Sequence, residues 1–130
     1  MPAEFLNEWS PPSIVAAHTG LLGHIDGGSG NGTITVHRAD DALLATIPLE
    51  RPGGAVDGTT GALTLAPDGR EEDAPAAGNA SYATLRNSDG VALRSLPCEA
   101  GSVAVEGKCI LNTVEIELGG RVEVISMVIL

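Results

Sequence analysis

The chain reads as a mainly β protein: an antiparallel β-sandwich, with a closed barrel as its nearest rival, one short N-terminal helix and an extended N-terminal arm. Three observations predict this. From Gly32 onward apolar side chains recur at every second residue, the period of a half-buried strand. Turn signals rich in Gly, Asp, Asn and Pro break that alternation at short intervals. Before Gly32, residues 11 to 24 instead carry their apolar side chains at helical spacing.

The arm covers residues 1–10 and the domain residues 11–130. Phe5 and Trp9 are two of the three aromatic residues in the chain, and both precede Pro11-Pro12. A buried aromatic ring removes about 150–250 Å² from water, so Phe5, Leu6 and Trp9 together read as a docking device. Burying them would yield on the order of 8–12 kcal/mol, while ordering the arm costs about 1–2 kcal/mol per residue. Such an arm binds firmly only beside other contacts or in several copies, which favours an oligomer.

Ser10 before Pro11-Pro12 is a helix start: a hydroxyl that caps free N–H groups, then prolines whose fixed φ suits the first turn. Ile14, His18, Leu21, Leu22 and Ile25 form the stripe of that helix, a contact face for the sheet or for a neighbouring subunit. The glycine-rich run Gly27 to Gly32 ends it and acts as a hinge. Ile34 and Val36 mark a first strand; after an Ala39-Asp40-Asp41 turn, Leu43, Ala45, Ile47 and Leu49 mark a second. Pro52-Gly53-Gly54 and Asp57-Gly58 read as a loop, Leu63 and Leu65 as a short strand, and Pro67-Asp68-Gly69 as a turn. Glu71-Glu72-Asp73-Ala74-Pro75 reads as a mobile acidic stretch. Residues 79 to 86 and 91 to 96 flank the hairpin loop Asn87-Ser88-Asp89-Gly90. Finally, Ile110, Asn112, Val114, Ile116 and Leu118 share a face. Gly119-Gly120 turns, and Val122, Val124, Ser126, Val128 and Leu130 continue that face. Ile125, Met127 and Ile129 make the last strand apolar on both sides, so it belongs in the middle of a sheet or at an interface.

Composition narrows the function classes. With 7 Lys and Arg against 17 Asp and Glu, the formal charge is −10, which repels nucleic acid and anionic membranes. The opening residues lack the basic and apolar regions of a secretory leader, and the apolar run Val124 to Leu130 is too short to span a bilayer, so a soluble chain made in the cytoplasm is expected. Cys98 and Cys109 are either two free thiols or a single bridge.

No catalytic, cofactor-binding or metal-ligating set is expected. The Gly27 to Gly32 run follows a helix and precedes a strand, the reverse of a phosphate-cradling loop. His18, His24 and His37 lack the spacing of a zinc motif, and His18 on the apolar stripe reads as a packed, hydrogen-bonded side chain. No nucleophile elbow is present, and neither cysteine neighbours a motif that would lower its pKa. Asp40-Asp41 and Glu71-Glu72-Asp73 read as solvated turn residues, and Glu115, Glu117 and Glu123 as the solvent face of the last hairpin or the acidic half of a complementary contact.

The stretches Asp26-Gly27-Gly28-Ser29-Gly30-Asn31-Gly32-Thr33-Ile34 and Leu43-Leu44-Ala45-Thr46-Ile47-Pro48-Leu49 resemble small virion proteins of tailed phages. In those proteins a helix, a "GGGNGTI" segment and an "LLATLTL" strand precede a β-sandwich. The run from Gly78 to Gly90 resembles their "GTAGWFRIYDSAG", though without its Trp-Phe at Tyr82 to Leu85. Leu111-Asn112-Thr113 and Gly120 to Ser126 also match. The likeness spans residues 11 to 130 and leaves the arm unmatched. It implies a structural virion component, foremost a capsid decoration (cement) protein on the outer head surface. Its partners would be the major capsid protein and itself, as a homotrimer. A tail or neck component, or a module for glycans or a host surface, is the alternative.

Overall fold

The computed structural model describes residues 11–28 and 30–129. Helix α1 (Pro11–Asp26) is followed by β1 (Thr33–His37), β2 (Leu43–Val56), β3 (Leu63–Pro67), β4 (Gly78–Asn79), β5 (Tyr82–Arg86), β6 (Ala92–Ala100), β7 (Cys109–Leu111), β8 (Glu115–Ile116) and β9 (Val124–Ile129). Seven strands close into a barrel in the order β1-β2-β3-β9-β7-β6-β5, and β4 and β8 pair as a separate two-stranded sheet. The fold is therefore mainly β with one N-terminal helix, and of the two closures open to the sequence it takes the barrel. Closure gives each barrel strand a neighbour on both sides, although residues 92–97 of β6 pair with β5 alone and β4 and β8 have only each other. Joint β6–β7 is parallel and the other barrel joints are antiparallel. A fully antiparallel reading misses this because the crossover 101–108, rather than a hairpin, links the two strands.

The interior is filled by aliphatic side chains, among them Ile34, Val36, Ile47, Leu49, Leu63, Leu85, Leu111, Met127 and Ile129, all fully buried. Each barrel end has its own plug. At the start of β1, Ile25 of α1 is fully buried, and a Cβ built on Gly32 or Gly53 would meet its Cγ2 at 2.8 or 2.7 Å. At the other end of β1, the β4–β8 sheet and the segments around it bring Ala74, Ala80, Ile116 and Val122 onto the core. This lid is tied to the barrel by the Ser81 N–H donated to the His37 carbonyl at 2.8 Å and the Cys98 N–H donated to the Ser81 carbonyl at 3.0 Å.

Several expectations are corrected here, most of them by bulges. Ala45 faces Val36 but Leu43 faces His37, so Leu44 is an extra residue; it is fully buried and Leu43 is left 40% exposed. Ile110 faces Ser126 and Leu111 faces Val124, so Ile125 is extra and the core positions of the last strand switch from Val122 and Val124 to Met127 and Ile129. The Pro52-Gly53-Gly54 loop is part of β2: the register slips between Leu49 and Gly54, and the strand bends there instead of ending. The long strand expected from Ile110 to Leu118 breaks into β7 and β8, and Leu118 is 72% exposed, because a Gly120 N–H to Glu117 carbonyl bond of 2.9 Å turns the chain. The stretch Glu71 to Pro75 is pinned. Ala74 is buried, donating its N–H to Gly120 and accepting one from Gly119, at 2.9 and 2.8 Å.

Candidate docking surface

Phe5, Leu6 and Trp9, with their Ser10 cap, lie outside the described residues. The helix that follows them is firmly seated. Ile14, Leu21 and Leu22 are half-buried, and His18 and Ile25 are buried, with Leu21, Leu22 and Ile25 packed on the barrel core. The five stripe residues are thus turned to the barrel, and only the other face of α1 is left open. That face holds Ala16, Thr19, Gly20, Gly23 and His24, all exposed.

Contacts along and beyond the helix fix the seat. His18 Nδ1 donates to the Gly61 carbonyl at 2.6 Å. A Cβ on Gly61 would meet Ile14 Cγ2 at 2.5 Å, so glycine is what lets the β2–β3 loop touch the helix. Beyond the helix end, the Gly53 N–H donates to Asp26 Oδ1 at 3.0 Å, and Arg51 Nη1 reaches the carbonyls of Gly28 and Gly30, both at 3.1 Å. The glycine-rich run ends the helix as expected, and Arg51 straps it against the barrel.

Large apolar side chains are left on the outside. Val103 and Leu118 are each 72% exposed, Val91 54%, and Val105, Leu43 and Ile125 40–42%. Val103 and Val105 sit on the crossover between β6 and β7, and Leu118 on the turn after β8. Periodicity placed Leu118 in the core and Leu43 with it; only the turn and the bulge bring them out.

The surface charge is mostly acidic because Asp and Glu outnumber Lys and Arg by 17 to 7, and four of the bases are in ion pairs. Arg38 pairs with Asp40 at 2.8 Å, Arg70 with Glu72 at 2.6 Å, Lys108 with Glu99 at 2.6 Å and Arg121 with Glu72 at 3.4 Å. The hydrogen bond from Arg38 holds the Asp40 carboxyl below its ordinary range, and that from Arg70 does the same for Glu72. The backbone N–H groups of Thr60 and Thr59 likewise lower Asp57.

Sequence reasoning passed over a polar cluster on the outer wall of β1, β5 and β6. His37 and Tyr82 stack with ring centroids 5.0 Å apart. His37 Nε2 lies 2.8 Å from Thr35 Oγ1, which also accepts from Arg86 Nε at 3.0 Å; Thr84 and Ser95 hydroxyls share a bond of 2.8 Å. The Tyr82 hydroxyl donates to Asp41 Oδ1 at 2.6 Å. The alternation Thr33, Thr35, His37 against Tyr82, Thr84, Arg86 was its signal, but only the β1–β5 register brings the two rows together. Every group in this cluster has a partner within the fold, so it braces the wall.

An open depression beside β3 and β9 is lined by Pro67, Gly69, Arg70, Glu72, Glu123 and Val124, of which Arg70 and Glu72 pair with each other. Among the described residues no group of three or more His, Cys, Asp or Glu side chains is placed to hold a metal ion. No family model, no curated protein and no solved structure matches the chain.

Proposed function

We propose that this chain is a non-enzymatic virion protein of a tailed phage, a capsid decoration (cement) protein that binds the outer head surface and bridges capsomers as a homotrimer. The observation that carries the reading is a filled, closed barrel with large apolar side chains outside it, Val103 and Leu118 at 72% exposure foremost. With each barrel strand already placed between two others, its contacts run chiefly through loops, the outer face of α1 and the arm that precedes it. Small contacts of this kind become strong when repeated around a symmetric shell. The resemblance of residues 11 to 130 to phage virion proteins supplies the partner, the major capsid protein.

The test is to mix purified protein with heads that lack it, count bound copies by quantitative mass spectrometry, and repeat the measurement after deleting residues 1–10. Many copies per head, reduced by the deletion, are expected. Absence from heads together with a handful of copies in the tail fraction would overturn the cement reading in favour of a tail or neck component.

A further inference from the structure

The crossover 101–108 returns the chain so that β7 lies parallel to β6, and this places Cys98 directly beside Cys109 as Cα partners in the ladder. Neighbouring strands run about 4.8 Å apart, inside the roughly 4.4–6.8 Å that a disulfide spans between Cα atoms. In-register partners also project to the same face of a sheet. The two thiols differ in access: Cys109 is fully buried, while Cys98 is half-buried at the margin of the same core.

We propose that Cys98 and Cys109 are a redox pair, converted by a small-molecule disulfide into an intramolecular bridge that ties β6 to β7 at the barrel's parallel joint. The accessible Cys98 attacks first as thiolate, forming a mixed disulfide and releasing one small thiolate. Cys109 then gives up its proton to solvent and its sulfur attacks the Cys98 sulfur, expelling the second small thiol. Two protein thiols are oxidised and one external disulfide is reduced to two thiols. The neighbouring Cys98 sulfur and burial both push the Cys109 thiol up, which makes Cys109 the slow, resolving partner. The bridge matters most here because β7 is only three residues long. This inference stands whether or not the chain decorates a capsid.

The experiment incubates the folded chain in glutathione redox buffers, quenches with acid, and reads intact mass and peptide map. The expected product is a monomer lighter by about 2 Da with Cys98 linked to Cys109. A glutathione adduct on Cys98 should precede it and resolve faster as pH rises. Half-oxidation of the folded chain should need at least about tenfold less oxidising buffer than half-oxidation in urea, because a bridge that fits the fold is favoured by the fold. Cys98→Ser should block adduct and bridge alike, whereas Cys109→Ser should trap the adduct; the wild-type titration needs neither variant. A persistent adduct, an intermolecular dimer, or a folded midpoint no better than that in urea would overturn the proposal.

Discussion

The imidazole Nδ1 of His18 lies 2.6 Å from the carbonyl oxygen of Gly61, a buried bond across 43 residues of sequence that joins helix α1 to the loop between β2 and β3. The bond requires a hydrogen on Nδ1, and it satisfies a carbonyl that would otherwise be sealed away from water. Through it the segment bearing the aromatic arm starts from a helix anchored to the barrel.

Replacing His18 by Leu keeps the apolar packing and removes the donor, leaving the Gly61 carbonyl buried and unpaired. The expected loss is about 1–3 kcal/mol in urea denaturation. His18→Asn, which can still donate, should recover part of it. Equal stability of the Leu variant and the parent would contradict the anchoring role.

Gly61 and Gly90 share nearly the same backbone, φ +81° and +82°, but differ in surroundings. An alanine at either position takes on left-handed strain of about 1–2 kcal/mol. At Gly61 the new methyl also collides with Ile14, whereas Gly90 has nothing within 4 Å. Gly61→Ala should therefore destabilise clearly more than Gly90→Ala, and amide exchange should show extra opening confined to α1.

Stability and adhesion should separate between core and surface. Ile25→Ala opens a cavity at the barrel's helix plug and should cost about 2–5 kcal/mol. Leu118→Ser and Val103→Ser, on exposed turns, should stay within about 0.5 kcal/mol of the parent. The same two serine variants should bind heads measurably less well in the occupancy assay. Undiminished occupancy would remove Val103 and Leu118 from the docking surface.

Tyr82 is the chain's single tyrosine, so phenolate absorbance reads it alone. Its hydroxyl donates to Asp41, and that bond, with burial and the carboxylate charge, raises it above the ordinary value of 10.0. A raised pKa in the folded state means that this contribution is complete below the unfolded value and is lost as pH climbs through the folded one. Stability should therefore decline on the alkaline side, above about pH 10. Asp41→Asn should bring the Tyr82 titration back toward its ordinary range and flatten that decline.

Local chemistry was legible wherever neighbours in sequence set it. The helix from Pro11 ends at Asp26, two residues beyond the expected bound, and Ile34 with Val36 lies in β1 as the alternation requires. The turn at Ala39-Asp40-Asp41 closes with Asp41 at φ 71°, and Gly90 and Gly119 take the positive φ that their turns demand. The end of the last strand is covered on both faces as its apolar run requires, with Met127, Val128 and Ile129 buried, while Ile125 stays 40% exposed.

Parity was not legible, because one extra residue reverses every assignment after it. The bulge at Ile125 sends Met127 and Ile129 inward, and the bulge at Leu44 exposes Leu43. Nothing in a period of two announces where such a residue falls.

The sequence by itself determined that the chain is mainly β with one leading helix, acidic and poor in aromatics, since period, turn residues and charge are local or additive properties. Tertiary structure alone decided that the sheet closes on itself, that α1 turns its apolar stripe onto the barrel, and that Cys98 meets Cys109. Each of these depends on which distant strands pair and in what register, and that choice is made by the whole core at once.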